Sequence, residues 1–252
     1  MDDSIVLNFT DGAVATADLN DDAQFGEMVV YRGLVPTDAI KDWWPLDTYT
    51  PIWIGPGRYF IVYPVSDGSL LNIGAFIATD GKFLENKTGS WTLRGDRFDL
   101  EKDYADFNPT VNRLIRHLDE KPLKWILYDR PLCDKWVFAN GKVALLGDAA
   151  HAMVPHHGAG AGQAIEDGPR TLEDWLTNVY QSVRLPRAQR LQTTSRGNGY
   201  SDRMKWIWAD DLDAMYNKAR KNMLSGGAHR HLAPDSQIEP PDSHSLRLQT
   251  LN

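Results

Sequence analysis

The chain has 252 residues, 42% of them apolar and 24% charged. That balance suits a soluble globular protein of one large domain or two modest ones. A net charge of −7 gives no basic field for nucleic acid or anionic lipid, and no apolar run nears the roughly 20 residues of a membrane span. The single cysteine, Cys133, excludes an internal disulfide framework and a Cys-based zinc site. The acidic start, Met1-Asp2-Asp3, lacks a signal-peptide h-region, so a cytoplasmic location is expected.

In chain order, Ile5 to Phe9 reads as a strand, Thr10-Asp11-Gly12 as a turn, and Ala13 to Leu19 as a returning strand. From Glu27 to about Leu93 the pattern is β. Strands are expected at Met28–Tyr31, Ile52–Ile54, Tyr59–Tyr63 and Leu70–Ala78, with turns at Gly55-Pro56-Gly57 and Ser66-Asp67-Gly68-Ser69. The Trp and Tyr residues of this stretch suit a sheet core better than a substrate cage. Asn108 caps a helix that opens on Pro109 and buries Val111, Leu114, Ile115 and Leu118. Trp125–Tyr128 is a further strand. A helix begins near Gly160, breaks at Gly168-Pro169, and resumes from Arg170 to about Ser182. The last helix is expected to start at Ser201-Asp202, with Met204, Ile207, Trp208, Leu212, Met215, Ala219 and Met223 on its apolar face. Gly226-Gly227 ends it, and residues 225–252 have the composition of a disordered tail.

The chemistry concentrates between Val143 and Gln163. Val143 to Leu146 lacks polar alternation, which predicts a buried parallel strand. Asp148 at its carboxyl end would face the ligand crevice of an α/β sheet and accept from a ribose or ribityl hydroxyl. The same residue also suits a helix cap after a core strand. Gly158, Gly160 and Gly162 allow a flat ligand close to the backbone, and the helix start favours partial negative charge. A flexible glycine loop is the plainer reading. Gln163 breaks the G-x-G-x-x-G spacing, so the run is no dinucleotide fingerprint. His151, His156 and His157 fit no common zinc pattern, and no G-x-S-x-G elbow exists for a hydrolase.

Several segments together resemble the FAD-dependent aromatic-ring monooxygenases of the salicylate hydroxylase and p-hydroxybenzoate hydroxylase kind. They are Tyr31 to Pro36, Gly55 to Pro64 with Leu71-Asn72-Ile73, Trp125 to Pro131, Gly147 to His151 with Pro155 and Gly158 to Asp167, and Val183 to Gly199. The resemblance covers roughly residues 1 to 224. It implies an α/β fold: the remainder of a Rossmann-like FAD domain, with an inserted, mostly antiparallel substrate sheet. Residues 1–26 and 121–224 would form the FAD part, residues 27–120 the sheet part. It also implies a cofactor site of Gly147, Asp148, Ala149, Ala150, His151, Pro155, Gly158, Gly160, Ala161, Gly162 and Gln163. Asp148 would hold the ribityl or ribose hydroxyls, Pro155 would lie beside the ring, and Gly160, Ala161 and Gly162 would offer amides to the pyrimidine edge. The implied reaction is NAD(P)H-dependent hydroxylation of a phenolic ring by molecular oxygen, with no metal, nucleic-acid or membrane partner. No catalytic residue is assigned, and the oligomeric state is open.

The family's opening G-x-G-x-x-G turn and its Asp-Gly motif before the substrate domain do not occur here. The expectation is a chain truncated at the N-terminus that binds FAD weakly or not at all, with impaired turnover. The alternative is a non-catalytic remnant serving as a binding or oligomerisation module.

Overall fold

A computed structural model of the chain describes residues 4–8, 14–18, 23–84, 91–138, 141–168, 171–176, 178–196 and 205–225. The expected start of the last helix at Ser201-Asp202 with Met204, its end at Gly226-Gly227, the tail beyond it, and Pro169-Arg170 of the expected break lie outside these residues. No described helix is long and apolar enough to cross a membrane.

Strands β1 (Ser4–Asn8) and β2 (Val14–Asp18) pair as an antiparallel hairpin. The principal sheet has six strands, all antiparallel. They are β3 (Gln24–Pro36), β4 (Ile52–Gly55), β5 (Arg58–Val65), β6 (Leu70–Ala78), β7 (Thr92–Arg94) and β8 (Leu123–Asp129), in the spatial order β4-β5-β6-β3-β8-β7. This matches the expected mostly antiparallel sheet, and both expected turns fall between paired strands.

Side chains alternate between the two faces, as a pleated strand requires. One face carries Tyr31, Val35, Phe60, Val62, Leu71, Ile73 and Ala75. It is covered by α1 (Arg97–Asp103) and α2 (Pro109–Ile115), which contribute Leu100, Val111, Leu114 and Ile115. Asn108 caps α2 by accepting from the Thr110 amide at 2.9 Å, and all four expected apolar residues of that helix are buried. The opposite face carries Met28, Val30, Tyr59, Phe76 and Leu127, and Val154 packs onto it from the glycine-rich segment. Gly26 permits that approach. A Cβ there would lie 2.6 Å from Val154 Cγ1 and 3.2 Å from the Leu127 carbonyl oxygen.

Beyond the sheet, β9 (Val137–Phe138) and β10 (Val143–Ala144) form a two-stranded antiparallel ladder. The expected buried parallel strand ending at Asp148 is therefore corrected. Val143 and Ala144 are only half buried, and their partner is the strand just before them in sequence. A parallel partner needs a crossover of a dozen or more residues, and among the described residues no strand lies parallel to β10.

The helices are α3 (Asp148–His151), α4 (Gly160–Glu166), α5 (Leu172–Leu176), α6 (Val179–Ser195), α7 (Lys205–Ala209) and α8 (Leu212–Leu224). Two expected helices are divided. The stretch from Arg170 to Ser182 breaks at Asn178, whose φ of +60° is left-handed and cannot continue an α-helix. The last helix breaks before Asp211, whose carboxylate caps α8 by accepting from the Ala214 amide at 3.0 Å. A local capping bond outcompetes continuation there. Trp208, expected on the apolar face, is 77% exposed. Helix α6 runs through Pro186 and is tied to the rest by Gln192, which donates to the carbonyls of Arg130 (2.7 Å) and Ala152 (2.9 Å).

Candidate cofactor site

The site is built on one turn and one loop. The chain leaves β10 and reverses at Gly147, whose φ of +56° favours glycine. The Gly147 carbonyl accepts from the amides of Ala150 and His151, each at 2.9 Å, which opens α3. Asp148 and Ala149 are exposed, while Ala150 and His151 turn inward and are buried. His151 is 2.7 Å from Asp167 through Nε2, and its ring lies 5.4 Å from that of Trp136.

Val154 then anchors the chain on the sheet, and Pro155 to His157 form a single 3-10 turn. Gly158 (φ +61°) redirects the chain into α4. The first backbone bond of α4 runs from the Gln163 amide to the Ala159 carbonyl at 2.9 Å. The amides of Gly160, Ala161 and Gly162 therefore have no acceptor within their helix. A Cβ added at Gly158, Gly160 or Gly162 would meet nothing within 4 Å. Packing inside the chain does not require these three glycines.

The sequence-derived site residues divide into two groups. Asp148, Ala149, Gly158, Ala161 and Gly162 are exposed, and Gly147, Pro155 and Gly160 are half buried; this group can meet a ligand directly. Ala150, His151 and Gln163 are buried and support the loop from behind. The Gln163 side chain is taken up by Arg184, whose Nη2 donates to Oε1 at 2.9 Å.

Two residues that the sequence left without a role also reach this region. The Tyr59 hydroxyl on β5 lies 2.8 Å from Nδ1 of His156, and Tyr59 stacks on Phe76 with ring centroids 4.1 Å apart. Burial, with a smaller contribution from nearby His157, pushes the His156 pKa down to about 4. The neutral imidazole can accept the tyrosine proton at Nδ1. A spacing rule could not find this pair, because its members are 97 residues apart. An open cleft of about 650 Å³ near the end of the sheet is lined by Phe25, Glu27, Ala78, Thr79 and Asp80. None of the glycine-loop residues is in its wall. Among the described residues no cluster of His, Cys, Asp and Glu could hold a metal ion.

The antiparallel sheet thus takes Val154 on one face, between the Gly-Asp turn and the glycine-rich start of α4. No protein-family model matches the sequence. It is 31% identical over 224 residues to an FAD-dependent monooxygenase, azaH, of Aspergillus niger, covering 77% of this chain and 52% of that protein. It is 27% identical over 241 residues to a salicylate hydroxylase of Pseudomonas putida, covering 79% of this chain and 55% of the relative. A solved salicylate hydroxylase in complex with substrate superimposes with a TM-score of 0.66 at 27% identity, covering 87% of this chain and 68% of that one. In sequence and in structure the chain is similar to FAD-dependent aromatic-ring monooxygenases of the salicylate hydroxylase kind. It spans about half the length of the curated relatives it matches.

Proposed function

We propose that this chain forms the ring-side part of the FAD site of an NAD(P)H-dependent monooxygenase that hydroxylates a phenolic or related aromatic substrate with molecular oxygen. The observation that carries this reading is the open space around Gly158, Gly160 and Gly162, with an exposed Asp148 on the turn that Asp167 ties to the end of α4. The donor and acceptor set fits a flavin. Asp148 would accept from ribityl or ribose hydroxyls. Pro155 would lie beside the ring. The amides of Gly160, Ala161 and Gly162 would donate to its pyrimidine edge. When bound, FAD supplies hydride acceptance and oxygen activation, and the protein supplies position and shielding. The buried sheet face of Met28, Val30, Phe76 and Leu127, under Val154, is the apolar backing on which the glycine-rich segment rests. Tyr59 and His156 stand behind the loop, joined by a hydrogen bond between hydroxyl and imidazole.

The sequence contains no G-x-G-x-x-G run, so these residues supply only one of the two contact sets through which this fold holds FAD. Charge-assisted hydrogen bonds contribute about 1.5–3 kcal/mol each, so lacking two or three of them weakens binding by several powers of ten. We therefore propose that the chain alone binds FAD weakly and turns over slowly, in the cytoplasm. A second reading, a non-catalytic binding or oligomerisation module, is favoured by the exposed Leu146, Ile165 and Leu172 around α4.

Flavin fluorescence on titration with FAD tests the proposal, followed by NAD(P)H-dependent hydroxylation of salicylate-like phenols. Saturable, weak quenching that Asp148→Ala removes supports it. No quenching at any FAD concentration, from a chain that melts cooperatively, favours the second reading. Micromolar or tighter binding with product formation would show that this contact set suffices alone.

A further inference from the structure

The two segments that face the proposed flavin, 147–149 and 158–162, share a buried support. Asp167, at the end of α4, has a side chain with 0% exposure, as does Arg184 on α6. One Asp167 oxygen, Oδ2, accepts from the Gly147 amide at 2.8 Å and from His151 Nε2 at 2.7 Å. The other, Oδ1, accepts from Arg184 Nε at 3.1 Å. Arg184 spends its remaining donors on α4. Nη2 donates to the Gln163 carbonyl (3.1 Å) and to Gln163 Oε1 (2.9 Å), and Nη1 donates to Glu166 Oε2 (2.6 Å). Glu166 in turn takes a bidentate pair from Arg187, which also donates to Asp210 and the Ile207 carbonyl.

A buried ion pair is an expensive way to hold two helices together, because apolar residues of the same volume do so as well or better. What such a pair provides is direction. The Asp167 carboxylate fixes the amide of a left-handed glycine immediately before Asp148. The guanidinium fork fixes both a backbone and a side-chain oxygen of the residue immediately after Gly162.

We propose that Asp167 and Arg184 are a positioning pair. Together they lock the Gly147-Asp148 turn and the first turn of α4 in one register, so that the two ligand-facing segments move only as a unit and only with α6. What the register serves rests on the flavin reading, but the coupling itself does not. Neither residue touches the ligand space, so neither is catalytic.

The test is amide hydrogen exchange on the full chain. It compares the wild type with the double variant Asp167→Asn/Arg184→Met, which removes both charges, keeps side-chain volume and leaves no buried charge of this pair unpaired. The informative amides are Gly147, Ala150 and His151 in one segment and Gln163 and Asp167 in the other, all hydrogen-bonded in the wild type. The expected result is at least tenfold faster exchange in both segments together, with β5 and β6 unchanged. The imidazole ¹⁵N shifts of His151 give a second signature. A carboxylate only accepts, so the wild-type ring carries its proton on Nε2. The double variant removes that carboxylate acceptor and shifts the Nε2 resonance. Unchanged exchange in a folded double variant overturns the proposal. So does faster exchange in one segment alone, an equal rise through β5 and β6, or failure to fold, which would assign the pair to global stability. FAD titration runs in parallel, where at least tenfold weaker binding at an unchanged melting temperature is expected. A wild type that does not bind FAD removes the flavin reading and leaves the exchange result to decide the coupling.

Discussion

The Tyr59 hydroxyl, on a sheet strand, is held 2.8 Å from Nδ1 of His156, on the loop that leads into the glycine run. The bond joins the sheet to the glycine-rich segment, and Phe76 flanks both rings. Burial lowers the His156 pKa from its ordinary 6.5 to about 4. The unfolded chain therefore binds more protons than the folded one between these values, and stability rises with pH across that window. Above pH 7 the ring is neutral in both states and contributes no pH dependence. Urea unfolding from pH 4 to 8 should show the wild type losing up to about 3 kcal/mol more than His156→Gln as pH falls from 6.5 to 4. Parallel curves for the two proteins would contradict this assignment.

Gly162→Ala should separate folding from binding. The position is helical and a Cβ meets nothing within 4 Å, so the variant gains about 0.5–1 kcal/mol from helix propensity. The melting temperature should rise by about 2–4 °C. FAD affinity should fall at least tenfold, because the methyl group occupies ligand space. A variant that is more stable and binds FAD as the wild type does would show that the glycine does not serve the ligand.

Asp148 is exposed, and no side-chain hydrogen bond or ion pair engages it among the described residues. Asp148→Ala should therefore change unfolding free energy by no more than about 0.5 kcal/mol. Its effect on FAD should be large, about 10- to 100-fold in affinity, the loss of one or two bonds to a charged acceptor. Equal losses of stability and affinity would place Asp148 in the fold instead of the site.

Tyr104 sits on the far side of the sheet. Its hydroxyl donates to the carbonyls of Tyr59 at 2.9 Å and Phe76 at 2.8 Å, and burial raises its pKa well above the ordinary tyrosine range. Tyr104→Phe should cost about 1–3 kcal/mol, because it leaves buried carbonyls without this donor. Chemical denaturation reads that loss directly. The same variant should weaken FAD binding only modestly, since the sheet lies behind the glycine loop.

Much of this molecule is legible residue by residue. The strands from Ile52 to Ala78 follow from aromatic and β-branched runs broken by Gly55-Pro56-Gly57 and Ser66 to Ser69, and α2 follows from Asn108-Pro109 and its apolar face. The glycine run before Gln163 reads as room for a close backbone approach, and a Cβ at Gly158, Gly160 or Gly162 meets nothing within 4 Å. These are local signals, because dihedral preference, capping and side-chain period act over a few residues. Other features were decided by tertiary structure. Val143–Ala144 reads as a buried parallel strand yet pairs antiparallel with Val137–Phe138, because a strand's direction is set by the neighbour it finds. Asp167 with Arg184, and Tyr59 with His156, are joined across 17 and 97 residues. No spacing rule records such pairs. Each exists only because burial removes water as the competing partner and leaves one side chain to satisfy the other.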